Sequence, residues 1–236
     1  MPVDASEPSW IHLLIPACVI GFFFVLVVAA GLWEKRRILA YSLPEPDREY
    51  PCTPYGLQRN REVKKLGYRY GGVYHDARGS IYKCRYDFWL SPDSTILVWI
   101  GCGTVARLAA KSVNLISQLE GGRYLQTTDM TGETDLSGLT DLQIWPKQTF
   151  RKLVDRHNAR LEALGASALP FSDAPMRDVI NIRRVRALRL VEQGDAKYVD
   201  DNESIWKYTL KGALRFYFVA TWLQTFRRGL RKIGVS

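Results

Sequence analysis

Histidine occurs only at positions 12, 75 and 157 of this 236-residue chain. That shortage argues against an enzyme built on clustered imidazole ligands. Cysteine is almost as sparse. Cys18, Cys52, Cys84 and Cys102 show no tight spacing, which argues against a disulfide-stapled scaffold and a Cys₄ zinc site. The chain has no G-x-S-x-G elbow, no Walker-type phosphate loop and no internal repeat. Acidic residues are outnumbered, 24 Asp+Glu against 33 Lys+Arg, for a formal net charge of +9. With 24% charged and 47% apolar residues, the composition is that of a folded protein and excludes a collagen-like or wholly disordered chain.

Against these absences stands one long uncharged run. From Trp10 to Trp33 there is no charged side chain. A helix of that length, at 1.5 Å per residue, exceeds a hydrocarbon core of about 30 Å. Trp10 and Trp33 would sit at the headgroup level, and Lys35, Arg36 and Arg37 follow at once. The run therefore reads as a transmembrane helix over 10–33. The acidic tail 1–9 lacks the positive n-region of a signal peptide. The positive-inside rule then places that tail outside and the rest of the chain in the cytoplasm, as a single-pass protein of the cell membrane.

After the run, residues 34–53 are basic and then proline-rich, a semi-rigid linker. Thr53-Pro54 has the form of an N-cap with proline at N1, and Gly67 that of a stop. Residues 81–90 alternate, with Tyr82, Cys84, Tyr86, Phe88 and Leu90 on one face and Lys83, Arg85 and Asp87 on the other. Residues 95–100 form a second strand after a Ser-Pro-Asp-Ser turn. Such short turns imply antiparallel hairpins. Beyond residue 145 the pattern turns helical: a helix opened by Pro146 and closed by Gly165, another over 173–193 ending at Gly194, and a third over 203–233. Strands followed by helices give an α+β domain, a small antiparallel meander with C-terminal helices, over 54–171. A basic helical region follows over 172–236.

Two motifs suggest chemistry. Gly101-Cys102-Gly103-Thr104-Val105-Ala106 matches G-x-G-x-x-A after an apolar strand, with Asp129 downstream. In a Rossmann-like βαβ unit over 95–129, Gly101, Gly103 and Ala106 would admit a pyrophosphate and Asp129 would hold a ribose. The competing reading is a continued meander, with 111–119 a strand and Gly121-Gly122 its turn. It is preferred because only one such unit exists and no β/α alternation follows. Second, Asp129, Glu133 and Asp135 lie in a stretch without basic residues, a conceivable oxygen set for a divalent cation, although a solvated acidic loop docked on a basic face explains them as well. His157 lies on the apolar stripe of its helix and reads as a buried, hydrogen-bonded histidine. No catalytic residue is assigned, and no cofactor or metal is expected.

The C-terminal region carries thirteen Lys+Arg against seven Asp+Glu, around the aromatic run 213–226. A helix over 203–233 with Trp222 and Phe226 on its apolar side and Arg227, Arg228 and Arg231 beside it suits a bilayer interface with anionic headgroups. No nucleic-acid motif accompanies the basic charge. The expectation is a non-enzymatic adaptor or structural protein held at the inner leaflet, with lipid and an unidentified protein as partners. The alternative is a membrane-tethered enzyme holding a nucleotide cofactor at the Gly101–Gly103 turn.

Overall fold

The computed structural model describes residues 11–33, 35–37, 52–78, 82–105, 108–131, 133–200, 202 and 205–219. In chain order the elements are α1 (Ile11–Trp33), the two-residue strand β1 (Arg36–Arg37), α2 (Pro54–Lys65), β2 (Arg69–Arg78), β3 (Tyr82–Leu90), β4 (Leu97–Val105), β5 (Leu108–Leu119), β6 (Arg123–Thr128), β7 (Thr140–Ile144), α3 (Phe150–Leu164), β8 (Ala168–Leu169), α4 (Pro175–Glu192), β9 (Ala196–Tyr198), β10 (Ile205–Tyr208) and α5 (Leu210–Tyr217). The chain divides into two units, residues 37–189 and residues 1–36 with 190–236.

The larger unit is an α+β domain on a mixed seven-stranded sheet of order β2-β3-β4-β5-β6-β7, with β8 added beside β5. From β2 to β6 each strand pairs antiparallel with the next. β7 pairs parallel with β6, Tyr124 opposite Thr140 and Thr128 opposite Ile144. The expected simple meander is corrected by that pair. A parallel partner needs a connection that returns along the strand, and residues 129–139 supply it.

Helices cover both faces. On one, α2 and α3 bring Val63, Phe150 and Leu153 against Trp89, Val98, Ile100, Val113 and Leu115. On the other, Val179 and Ile182 of α4 pack with Phe88, Leu97, Ile116 and Tyr124. Each such fully buried side chain contributes about 1.5–3 kcal/mol relative to exposure. This double cover is why Asp87, on the polar side of an alternating strand, is only 1% exposed.

Local signals fix the helix ends. The Thr53 hydroxyl accepts from the Gly56 N–H at 3.2 Å, Pro54 opens α2, and Gly67 follows its end at φ 79°. α3 begins at Phe150, after the Thr149 cap, and not at Pro146. Lys147 adopts φ 61°, which interrupts helical geometry between the two. Gly165 closes α3 in the left-handed conformation.

The Rossmann-like alternative is also corrected. Residues 108–119 are strand β5, paired antiparallel along the whole of β4 from Leu97 opposite Ile116 to Val105 opposite Leu108. Gly101 lies mid-strand and not at a helix N-terminus. A Cβ there would stand 2.6 Å from the Ser112 Oγ and 3.0 Å from the Tyr86 ring, its two cross-strand neighbours. The glycine makes room for that ring.

In the smaller unit, β9 and β10 form an antiparallel pair, Trp206 opposite Tyr198 and Tyr208 opposite Ala196. The expected helix over 203–233 is corrected here: Ile205–Tyr208 is strand, Thr209 caps α5 through the Gly212 N–H, and residues 220–236 lie outside the described residues. Asp195, fully buried, is ion-paired with Arg215 and with Lys211 at 3.3 Å, fastening α5 to the turn after α4.

α1 is a 23-residue helix. Among the described residues, no helix is long and apolar enough to cross a membrane. On that finding the transmembrane helix over 10–33, the single-pass topology and the cell-membrane localisation are corrected. Part of the apolar character of α1 has a packing origin within its own unit. Val28 is buried, and the Phe24 ring meets the Tyr217 ring edge-on at 4.7 Å between centroids. Several of its other side chains, Pro16 and Phe23 among them, lie outside the described residues, as do the tail 1–10 and most of the linker.

Candidate functional site

Two polar networks lie between α2 and the sheet. The first centres on Asp87 in β3. Arg85 donates to it from Nη2 at 2.9 Å and from Nε at 3.2 Å, Asn60 Nδ2 at 2.9 Å and the Tyr70 hydroxyl at 3.3 Å. Asn60 Oδ1 accepts from Trp89 Nε1 at 2.7 Å, which fixes the amide orientation. Cys52 completes the cluster, its sulfur 3.9 Å from the Asp87 carboxylate. Burial, helped by Cys102 and Asp87, pushes the Cys52 thiol up to about 11, with Arg85 opposing. Burial and then Asp87 push Tyr70 up to about 12. Both groups are therefore protonated donors near neutral pH.

The second network centres on Asp129, just after β6. It accepts from the Val113 N–H at 2.7 Å and from the Tyr55 hydroxyl at 2.8 Å, and Arg59 stands 3.7 Å away. Burial first, then Asp129, raises the Tyr55 phenol well above its usual value. Arg59 also donates to Glu62 at 2.8 Å and to the Gln148 carbonyl at 2.6 Å. Burial opposes ionisation of Glu62, but donors from Gln58, Arg59 and the Phe150 N–H outweigh it and hold the carboxyl below its usual value. Glu62 and Thr149 thus satisfy the first turn of α3 together.

The acidic loop does not gather its carboxylates around a common point. Asp129 faces Tyr55 on the α2 side. Asp135 accepts from the Ser137 N–H and hydroxyl at 2.9 and 2.7 Å. Glu133 interacts with Arg186, Arg183 and Gln126, and burial raises its carboxyl. Asp141, in β7, accepts from Arg160 Nε at 2.9 Å. Among the described residues, no group of three or more His, Cys, Asp or Glu side chains is arranged to hold a metal ion. Nor do the dinucleotide candidates converge. Gly101 turns its open side to the Tyr86 ring, Gly103 sits opposite Cys84 and Ala110, Asp129 faces α2, and Ala106 lies outside the described residues.

His157 is fully buried, with Nε2 2.9 Å from the Ser117 Oγ and Nδ1 2.9 Å from the Thr127 Oγ1. Ser117 gives its own proton to the Thr95 carbonyl at 2.9 Å. It must then accept from Nε2–H, which leaves Nδ1 to accept from Thr127. Burial pushes this imidazole down to about 3, so it is neutral. Ser117, His157 and Thr127 have the order of a nucleophile, a base and an orienting group, but all three are closed to solvent.

Of the residues assigned to a membrane surface, Trp33 is 83% exposed and Lys35 is exposed. Arg36 and Arg37 form β1 with side chains outside the described residues. Trp10, Trp222, Phe226, Arg227, Arg228 and Arg231 are also outside them. Sequence reasoning missed Asp87, Asn60, Tyr70 and Arg59. The available signal was Arg85-x-Asp87, two opposite charges on one face of a strand whose next residues on both faces are apolar. No family model, curated protein or solved structure matches this chain.

Proposed function

We propose that this chain is a non-enzymatic adaptor or structural protein whose sheet domain serves as a rigid platform. One observation carries the reading: the interior groups able to act as acid, base or ligand are already occupied by one another. Asp87 is held by Arg85, Asn60 and Tyr70, Asp129 by Tyr55 and the Val113 N–H, and Asp141 by Arg160. His157 is shared between Ser117 and Thr127. A general base needs an open lone pair within reach of substrate. These groups spend theirs on the fold.

Thermal melts of the full chain against NAD, NADP, FAD, ATP and divalent cations test the reading. A ligand at a hundred times its Kd stabilises by about 2.7 kcal/mol, a shift of several degrees for a chain this size. No shift is expected. In the source cell, the deficit left by deleting the gene should be restored by His157→Gln and Asp129→Asn variants that fold. A nucleotide-induced shift lost in Gly103→Ala, or failure of folded Asp129→Asn to restore function, would overturn the proposal in favour of an enzyme.

A further inference from the structure

Two of the four cysteines meet beneath the first turn of α2. A Cβ on Gly56 would stand 2.7 Å from the Cys52 sulfur and 2.8 Å from the Cys102 sulfur. The sulfurs are therefore no further apart than the sum of those distances. Cys102 is among the groups that raise the Cys52 thiol, and both are free thiols. Any side chain at position 56 would occupy the gap between them. The two sulfurs come from separate parts of the unit. Cys52 precedes the N-cap of α2 and is partly exposed, whereas Cys102 is buried in β4. Cys84 does not compete. It pairs with Gly103 across the β3–β4 ladder and so points to the opposite face of the sheet from Cys102.

We propose that Cys52 and Cys102 are a modification site, an intramolecular disulfide formed by a hydroperoxide and undone by a dithiol, which clasps the lead-in to α2 onto the sheet. In the first step the Cys52 sulfur attacks the nearer peroxide oxygen. The O–O bond breaks, the far oxygen departs with the thiol proton as water or the corresponding alcohol, and Cys52 keeps the near oxygen as a sulfenic acid. In the second, the Cys102 sulfur attacks the Cys52 sulfur and the S–O bond breaks. The hydroxyl leaves as water with the Cys102 proton, and the S–S bond forms. A dithiol reductant returns two electrons and two protons. Asn60 Nδ2, 3.7 Å from the Cys52 sulfur, and Asp87, 3.9 Å away, orient the attacking group. Because the thiolate is the reactive form and this thiol is held protonated, the clasp closes slowly. Once closed, it constrains the unfolded chain through the loop from 52 to 102.

The test uses the reduced full chain treated with hydrogen peroxide. Intact mass should fall by two hydrogens, proteolytic mapping should recover one peptide pair joined through Cys52 and Cys102, and dithiothreitol should separate it. The melting temperature should rise by roughly 5–10 °C on oxidation and return on reduction. Cys52→Ser should abolish the cross-link and Cys84→Ser should retain it. Peptide mapping of the unaltered chain decides the matter even where a variant folds poorly. Oxygen addition at Cys52 without a joined peptide, or a cross-link that engages Cys84 in place of Cys102, would overturn the proposal.

Discussion

Two hydroxyls, those of Ser117 and Thr127, close on the imidazole of His157 inside the larger unit. Neither can stabilise an imidazolium as a carboxylate would, and burial holds the folded-state pKa at about 3 against an ordinary 6.5. The linkage has a definite sign. Above pH 6.5 neither the folded nor the unfolded chain protonates this residue, and its contribution is complete. As pH falls from 6.5 toward 3 only the unfolded chain takes the proton, so stability declines by up to about 1.4 kcal/mol per pH unit. Glu133 acts in the opposite direction, since burial raises its carboxyl. Urea denaturation of Glu133→Gln between pH 5.5 and 6.5, above the range in which the depressed Glu62 carboxyl contributes, should therefore show chiefly the His157 slope. His157→Gln in that background should flatten it. A slope that survives the histidine replacement would show that another group is responsible.

One helix side chain meets both the crossover between β6 and β7 and the strand that precedes it. Arg186 of α4 donates to Gln126 Oε1 at 2.9 Å and lies near Glu133, Asp135 and the ring of Tyr124, 5.7 Å from its centroid. Burial lowers the guanidinium pKa while the carboxylates counter it. Removing one partner of a buried pair costs about 3–5 kcal/mol, and partial exposure reduces that here to about 2–3 kcal/mol for Arg186→Met. Glu133→Gln in the same chain should recover part of the loss, because the stranded charge is then gone. Equilibrium unfolding of the two single variants and the double variant measures the coupling. A cost below about 1 kcal/mol would mean that the loop is held by Leu136 and Ser137 instead, both of which are buried. The same crossover marks the limit of what the sequence reveals. Thr53-Pro54, Gly165 and Gly194 are legible because each acts on the turn that contains it. Whether a strand after an eleven-residue loop pairs parallel or antiparallel depends on where that loop packs, here against the helix α4, which begins only at Pro175. Gly101 misleads for a related reason. A glycine that admits a pyrophosphate and one that admits a tyrosine ring from the next strand look alike until the register is known. Of the polar site, Asp129 was visible and Asp87 was not, although Arg85 lies two residues from it on the same strand; Tyr70, Asn60, Tyr55 and Arg59, which complete the two networks, come from other elements.

Every residue of both apolar clusters lies between positions 37 and 189. So do all seven strands of the large sheet and the caps of α2 and α3. That span is of ordinary domain size and has cover on both faces of its sheet, the conditions for folding alone. Exposed large apolar side chains occur in both units, Leu57, Tyr70, Met130, Leu169, Val185 and Leu188 among them within 37–189, but the largest group on one element lies outside that span. Leu14, Ile15, Val19, Phe22, Val25, Leu26 and Trp33, between 47% and 83% exposed, all belong to α1. A contiguous patch of that kind promotes association. A fragment of residues 37–189 should therefore unfold in a single cooperative urea transition and keep its near-ultraviolet aromatic signal, since Trp89, Tyr68 and Phe150 remain packed together. It should also sediment as a monomer at concentrations where the full chain self-associates. The cut after Arg189 removes the last turn of α4 and should lower the midpoint without abolishing the transition, because Val179 and Ile182 are retained. A fragment that binds apolar dyes, lacks the aromatic signal or unfolds without cooperativity would show that the sheet depends on residues outside 37–189. A monomeric full chain would locate the association surface somewhere other than α1.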